Sequence, residues 1–244
     1  MIALGIVAIA TVAKAEVFYF ENFDNLPLGE IAGPIGFSDP INGMRWKNDQ
    51  TALGAVTDED SFSPGQSFNI TRFVDGGRIK NSTQMNPVAE LPLLIWADEW
   101  FKHLPSNNQG GSRELFRIGA DTDAEPLIAK IFIDSDLKLK AQTSNIPTPV
   151  DFTSNEWHHL ALKIDGNTAL VDVWLDEELI WDDLNFNGAP AGSTVGVLGH
   201  NSKFHNEEER LFLDNIRIAD VSPFAEPITG DMDCDWDVDF DDIR

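Results

Sequence analysis

Seven aspartates fall within the twelve residues Asp231-Met232-Asp233-Cys234-Asp235-Trp236-Asp237-Val238-Asp239-Phe240-Asp241-Asp242. Carboxylates so close together repel one another, and a hard divalent cation that needs six to eight oxygens relieves the repulsion. With Asp231 as position 1, oxygen side chains stand at positions 3 (Asp233), 5 (Asp235), 9 (Asp239) and 12 (Asp242). Asp237 offers its backbone carbonyl at position 7, and Val238 is apolar at position 8, which is the spacing of a calcium-binding loop. Calcium is therefore the expected cofactor, with Asp231, Asp233, Asp235, Asp237, Asp239 and Asp242 as its donors. Trp236 occupies position 6, where such loops carry glycine to turn through positive φ. An indole there costs about 1–2 kcal/mol if the turn is kept, so the expected affinity is reduced. A solvated acidic tail is the competing reading.

A second kind of chemistry lies in the tryptophans. Sugar rings stack their C–H faces on indoles while hydrogen bonds form at the edges. Trp96 and Trp100 are four apart, so an extended strand places them on one face with Asp98 between them. Trp174 alternates with Asp172 and Asp176, opposite Val171, Val173 and Leu175. Trp96, Trp100 and Trp174, with Arg113 on a nearby strand, are the candidate glycan contacts. Packing of these rings beneath loops is the alternative, and Trp157 is expected in the core.

Signals for catalysis are weak. A glycosidase needs two carboxylates across the scissile bond, carried on this kind of strand as Glu-x-Asp-x-x-Glu, and that pattern is missing. Asp176-Glu177-Glu178 and Asp182-Asp183 are contiguous acids that cannot line one face and read as an exposed turn. His158 and His159 are neighbours and point to opposite sides of a strand, so they cannot converge on one ion. One is expected to pack and the other to be solvated. His200 and His205 fall on a loop where substrate contact has no support. Nucleophile-elbow, phosphate-loop and HExxH patterns do not occur.

The elements that must position these residues are strands. Short β-branched, aromatic and leucine runs recur at intervals of roughly ten residues between Gly, Pro, Asn and Asp clusters. Strands are expected over 16–23, 67–73, 93–101, 115–120, 127–133, 137–142, 157–164, 169–175, 195–199 and 211–218. In Trp157–Ile164 the apolar Leu160, Leu162 and Ile164 alternate with Lys163, the period of a strand with one buried face. Asp165-Gly166-Asn167 supplies a tight turn into the next strand, with Gly tolerating positive φ. The implied architecture is an all-β, two-sheet antiparallel sandwich.

Several segments together resemble a known group. Phe20-Glu21-Asn22-Phe23-Asp24, Asn155-Glu156-Trp157-His158-His159-Leu160-Ala161, Val171-Asp172-Val173-Trp174-Leu175-Asp176 and Leu213-Asp214-Asn215-Ile216-Arg217-Ile218 follow one another as in laminin-G-like, concanavalin A-like jelly rolls. The likeness spans most of residues 16–220. That resemblance implies a jelly-roll fold shared by lectins, carbohydrate-binding modules, glycosidases and polysaccharide lyases. It also implies a weaker second calcium site tying the first strand to the last, for which Glu21, Asp24 and Asp214 occupy comparable places. Arg113-Glu114-Leu115 resembles part of an alginate-lyase strand, without its spacer or partner elements. The aspartate loop resembles the first half of a dockerin repeat, truncated two residues past position 12 at Arg244, so a complete cohesin-docking surface is not expected. A cohesin-like partner belongs to this reading only for a longer parent with a full dockerin.

The remaining bounds come from charge and termini. With 41 acidic against 17 basic residues the net charge is −24, which disfavours nucleic acid and anionic lipid as partners. A single cysteine, Cys234, excludes an intrachain disulfide and a four-thiolate metal site. Ile2 to Val12 is uncharged and apolar, too short for the roughly 20 residues that span a bilayer, and Ala13-Lys14-Ala15 fits a signal-peptidase site. The organisation expected is a signal peptide (1–15), a jelly-roll domain (16–220), a proline-containing linker (221–229) and the dockerin-like calcium loop (230–244). The body and the loop should move independently. The expected protein is secreted or displayed at the cell surface, without membrane insertion after signal cleavage. It is read as a non-catalytic module binding a polysaccharide or surface glycan. A polysaccharide hydrolase or lyase of the same fold, and a structural adhesion module, are the alternatives.

Overall fold

Strands with alternate apolar residues bury one face each, and two sheets of such strands close on one another about 10 Å apart. The computed structural model describes residues 16–30, 36–37, 41–48, 54–71, 79–105, 112–121, 125–204 and 209–224. In chain order the strands are β1 (Val17–Glu21), β2 (Gly29–Glu30), β3 (Gly36–Phe37), β4 (Met44–Asn48), β5 (Gly54–Thr57) and β6 (Ser67–Thr71). Next come β7 (Ile79–Pro87), β8 (Leu94–Leu104), β9 (Arg113–Gly119), β10 (Leu127–Ile133), β11 (Lys138–Gln142) and β12 (Val150–Asp151). The last five are β13 (Trp157–Asp165), β14 (Leu170–Leu175), β15 (Glu178–Asn185), β16 (Val197–Phe204) and β17 (Arg210–Ala219). No helix occurs among the described residues.

One sheet has nine strands in the order β15-β14-β13-β8-β17-β6-β5-β2, with β1 also paired to β17, and the other has eight in the order β12-β11-β10-β9-β16-β7-β4-β3. Neighbours such as β8–β17 and β9–β16 are far apart in sequence and antiparallel. The chain therefore crosses repeatedly between layers, and the fold is the all-β two-sheet jelly-roll sandwich that the strand pattern implies.

Inside, β8 contributes Ile95, Ala97 and Phe101, β13 contributes Leu160, Leu162 and Ile164, and β10 contributes Ala129, Ile131 and Ile133, all essentially without exposure. At one corner Phe23 stacks on Phe68 at 5.6 Å and Trp46 tilts against Phe68 at 5.2 Å. The Trp46 Nε1–H donates to Tyr19 Oη at 3.1 Å, which satisfies its polar edge in the core. Among the described residues the core tryptophans are thus Trp46 on β4 and Trp181 on β15, not Trp157. Trp157 begins β13 on the outer face and donates from Nε1 to Asp60 Oδ1 at 3.1 Å.

The β13–β14 turn forms where expected, for a different reason. Positive φ falls on Ala169 (59°), and Gly166 lies outside that region. Glycine is needed at 166 because a Cβ there would lie 2.3 Å from the Ser193 carbonyl oxygen. The close approach lets Gly166 N–H donate to Leu93 O at 2.6 Å.

Candidate functional site

Paired residues across a sheet share a face, so the register alone lays out the outer surface of the nine-stranded sheet. One row reads Trp174, Ala161, Asp98, Arg217 across β14, β13, β8 and β17. The row on one side reads Asp172, Lys163, Trp96, and the row on the other reads His159, Trp100, Asp214. Alternation along β8 and β14 thus brings Trp96, Trp100 and Trp174 onto one face. Trp96 and Trp174 meet at 4.8 Å between ring centroids.

Polar groups are set among the rings. Asp98 Oδ2 accepts from Arg217 Nε at 3.0 Å, and its Oδ1 lies 3.2 Å from His159 Nε2. Lys163 Nζ donates to Asp172 Oδ2 at 3.1 Å at the far edge of the same face. His159 also stacks on Trp100 at 4.9 Å. His158 points inward, as strand alternation requires, with Nδ1 2.7 Å from Asp176 Oδ2 and Nε2 donating to the Thr153 carbonyl. The expectation that one of the two histidines is solvated is corrected, since both are buried. Each found an acid, and that acid came from another strand or turn invisible to local pattern. Asp176 and Glu177 take positive φ in the exposed β14–β15 turn, as their contiguous acids indicated, whereas Glu178, Asp182 and Asp183, expected in the same turn, lie on strand β15.

Two short segments cross this face, and sequence reasoning missed both. Residues 60–63 are held by Asp214, whose Oδ2 accepts from Phe62 N at 2.9 Å and Ser63 N at 3.0 Å. That clamp lays Phe62 face to face on Trp100 at 3.5 Å. Residues 221–224 return over the sheet, where Arg217 donates to Val221 O at 3.2 Å. Phe224 then stands 6.0 Å from Trp96, 5.8 Å from Trp174 and 5.8 Å from His159. The first residues of the expected linker are therefore docked on the sheet. The only signal for either segment was a lone phenylalanine in a polar stretch.

Arg113 does not join the tryptophans. It lies on β9 in the opposite sheet with its side chain wholly buried, ion-paired to Glu209. His103 Nε2 reaches the same Glu209 oxygen at 2.8 Å. Burial pushes the Glu209 carboxyl up, but His103 and the Arg113 guanidinium outweigh it and hold it below the ordinary value. Further along the interior, His200 is on β16 and lies 2.7 Å from Glu99 on β8. Here burial raises the Glu99 carboxyl despite the opposing pull of His200.

Glu21, Asp24 and Asp214 do approach one another where the first and last strands meet. Burial raises Glu21, which the Phe23 amide opposes and the charges of Asp24 and Asp214 reinforce. Asp214 is raised by burial as well. As a calcium cage the trio does not fit. Asp214 Oδ2 already takes three donors, from Phe62 N, Ser63 N and Ser63 Oγ, and its Oδ1 accepts from Asn215 N. Asp24 Oδ1 accepts from Gln66 N, and Glu21 Oε1 accepts from Phe23 N. These carboxylates fasten loops to strands. On the β14–β15 hairpin Asp172, Asp182 and Asp183 bring carboxylate oxygens within 4.8 Å of one another. Residues 1–15, His205 and the aspartate loop with Asp231, Asp233, Asp235, Asp237, Asp239 and Asp242 lie outside the described residues.

No protein-family model and no curated protein sequence matches the chain. Among solved structures it is similar to one described under endo-acting O-glycanases with which human gut microbiota initiate mucin breakdown (TM-score 0.58, 11% identity, covering 85% of this chain and 100% of that one). It is also similar to the cellulose induced protein Cip1 (TM-score 0.55, 10% identity, covering 83% and 97%). A sialidase matches with a TM-score of 0.55 at 9% identity over 86% of this chain, which spans 19% of the sialidase's length. At these identities the likeness is one of fold, the jelly-roll sandwich.

Proposed function

We propose that the outer face of the nine-stranded sheet binds a polysaccharide or surface glycan, and that the protein is a secreted or cell-surface carbohydrate-binding module. The observation that carries this is the Trp96–Trp174 pair at 4.8 Å on one face of the sheet, with the Asp98–Arg217 and Lys163–Asp172 pairs beside it. Indoles offer apolar area to the C–H face of a pyranose, and charged side chains at their edge hydrogen-bond its hydroxyls. Support comes from the company the fold keeps, since similar structures are described as an O-glycanase, a cellulose induced protein and a sialidase. The module is non-catalytic: Asp98, the carboxylate among the rings, has both oxygens engaged by His159 and Arg217. With a net charge of −24, neutral glycans are favoured over polyanionic ones.

Affinity electrophoresis through gels containing xylan, mixed-linkage β-glucan, galactomannan or mucin tests the reading. Retardation by at least one neutral polymer, lost in a Trp96→Ala/Trp174→Ala variant, is the expected result. Free migration in every gel overturns it, as does release of reducing sugar from any of them. We further propose that residues 231–242 bind calcium as a dockerin-like loop, supported by the periodic aspartates. Titration calorimetry of the full chain with Ca²⁺ tests this, and no heat at millimolar metal rejects it.

A further inference from the structure

Ala161 sits at the centre of the outer face, between Trp174 on one neighbouring strand and Asp98 on the other. His159 precedes it on the same face, and Trp96 pairs with the next outward residue, Lys163. A methyl side chain ringed by two indoles and an imidazole leaves a depression, and in a free sheet that depression would be open. Ala161 nevertheless has no exposure at all. The Phe224 ring stands 5.8–6.0 Å from all three surrounding rings, edge-on to Trp96 and His159 and tilted to Trp174.

We infer that Phe224 is an internal stand-in for the sugar, a plug from the chain's own C-terminal segment that must leave before the Trp96–Trp174 pair can stack a pyranose. The inference rests on the glycan-binding reading above and adds its regulation. A phenyl ring and a pyranose ring are of similar size, and each meets an indole through C–H groups, so the two compete for one position. Among the described residues the plug's polar ties include Arg217 to Val221 O at 3.2 Å and the local Phe224 N–H to Ser222 Oγ at 3.1 Å. Neither tie pairs it into the sheet, since β17 ends at Ala219. Displacing it breaks ring contacts worth about 0.5–1.5 kcal/mol per pair, which lowers apparent affinity without disturbing the sandwich.

The test compares the full chain with Phe224→Ser and Phe224→Tyr variants. Tryptophan fluorescence quenching by acrylamide reports access to the indoles, and affinity electrophoresis through the same polysaccharide gels reports binding. Phe224→Ser should be quenched more steeply than wild type and bind about three- to tenfold more tightly, the range set by one displaced ring contact. Phe224→Tyr, which keeps the ring, should behave as wild type in both measurements. Unchanged quenching in Phe224→Ser, or unchanged or weaker binding by that variant where wild type is retained, overturns the plug. Steeper quenching with no polymer retained by any form overturns competition with sugar. That outcome also rejects the glycan reading while leaving the cover in place, so the two failures are told apart.

Discussion

The two outer faces of the sandwich are made from the same alternating strands and carry opposite chemistry. On the nine-stranded sheet the outward residues of β8, β13 and β14 include Trp96, Trp100, Trp157, His159 and Trp174, and two short segments lie over them. On the eight-stranded sheet the outward residues of β9, β10 and β11 form a ladder of opposite charges. Lys130 meets Glu114 at 3.0 Å, Arg117 meets Glu125 at 3.0 Å, and Lys140 meets Asp134 at 2.6 Å and Asp136 at 2.9 Å. Charged ladders keep a face soluble and need no cover, whereas a face of indoles exposes apolar area that must be covered by the chain or by a ligand. The indole face is the one built to be occupied.

Arg113 gives the largest test, because it was a candidate for the aromatic face and belongs to the interior. Arg113→Ala leaves Glu209 buried beside His103 without its guanidinium and should destabilise the protein by about 3–5 kcal/mol, read as a urea-unfolding midpoint. The fraction still folded at low temperature should bind glycan as wild type does. Loss of binding with stability intact would return Arg113 to the site and erase the distinction between faces.

Next in size is the effect on binding itself. Trp96→Ala or Trp174→Ala alone should weaken retention about tenfold, roughly 1.4 kcal/mol, since each removes one wall of the pair. Lys130→Ala on the opposite sheet should leave retention unchanged. Equal losses from both faces would show that binding follows overall folding and not the aromatic surface.

Much of this was legible in the chain. Trp96, Asp98 and Trp100 at i, i+2 and i+4 could share a face only on a strand, and Leu160, Leu162 and Ile164 fixed which way β13 turned. Local alternation could not tell which sheet a strand joins, so Arg113 was assigned to the wrong layer. Nor could it foresee Trp157 facing out, because the acid that receives its N–H, Asp60, is 97 residues away. Strands β2, β3, β4, β5, β7, β12 and β15 escaped notice; runs such as Ile79–Pro87 are largely polar, and the pairing of β7, β4 and β5 is imposed by their neighbours. On β17 the period breaks at Asn215, where φ is 48° and the register against β8 shifts between Asp214 and Arg217, which hid Arg217's place beside Asp98.

Titration separates the interior from the outer face with a smaller effect. Glu209, held below the ordinary glutamate value of 4.5, contributes stability that is present above that value and lost as pH falls through its lowered pKa. Asp214, on the aromatic face, is raised above the ordinary aspartate value of 3.8. Its contribution is present at lower pH and is lost as pH rises through its raised pKa. Urea midpoints of wild type and Glu209→Gln should therefore converge as pH drops below 4.5. Asp214→Asn should gain on wild type as pH climbs above 3.8. Parallel curves for either variant would detach that carboxyl from its assigned surroundings.

The smallest effect belongs to the charged face. Lys138 reaches Asp151 at 2.8 Å, but their side chains are 39% and 84% exposed, so water screens the pair. Lys138→Ala should change stability by less than about 0.5 kcal/mol, and 0.5 M salt should remove what difference there is. Glycan retention should not move at all, because β11 faces away from the tryptophans. A clear loss of retention in this variant would mean that the ladder, with its lysines arrayed along one sheet, touches the ligand. The indoles would then be covered for the sake of the fold, and the assignment of roles to the two faces would be reversed.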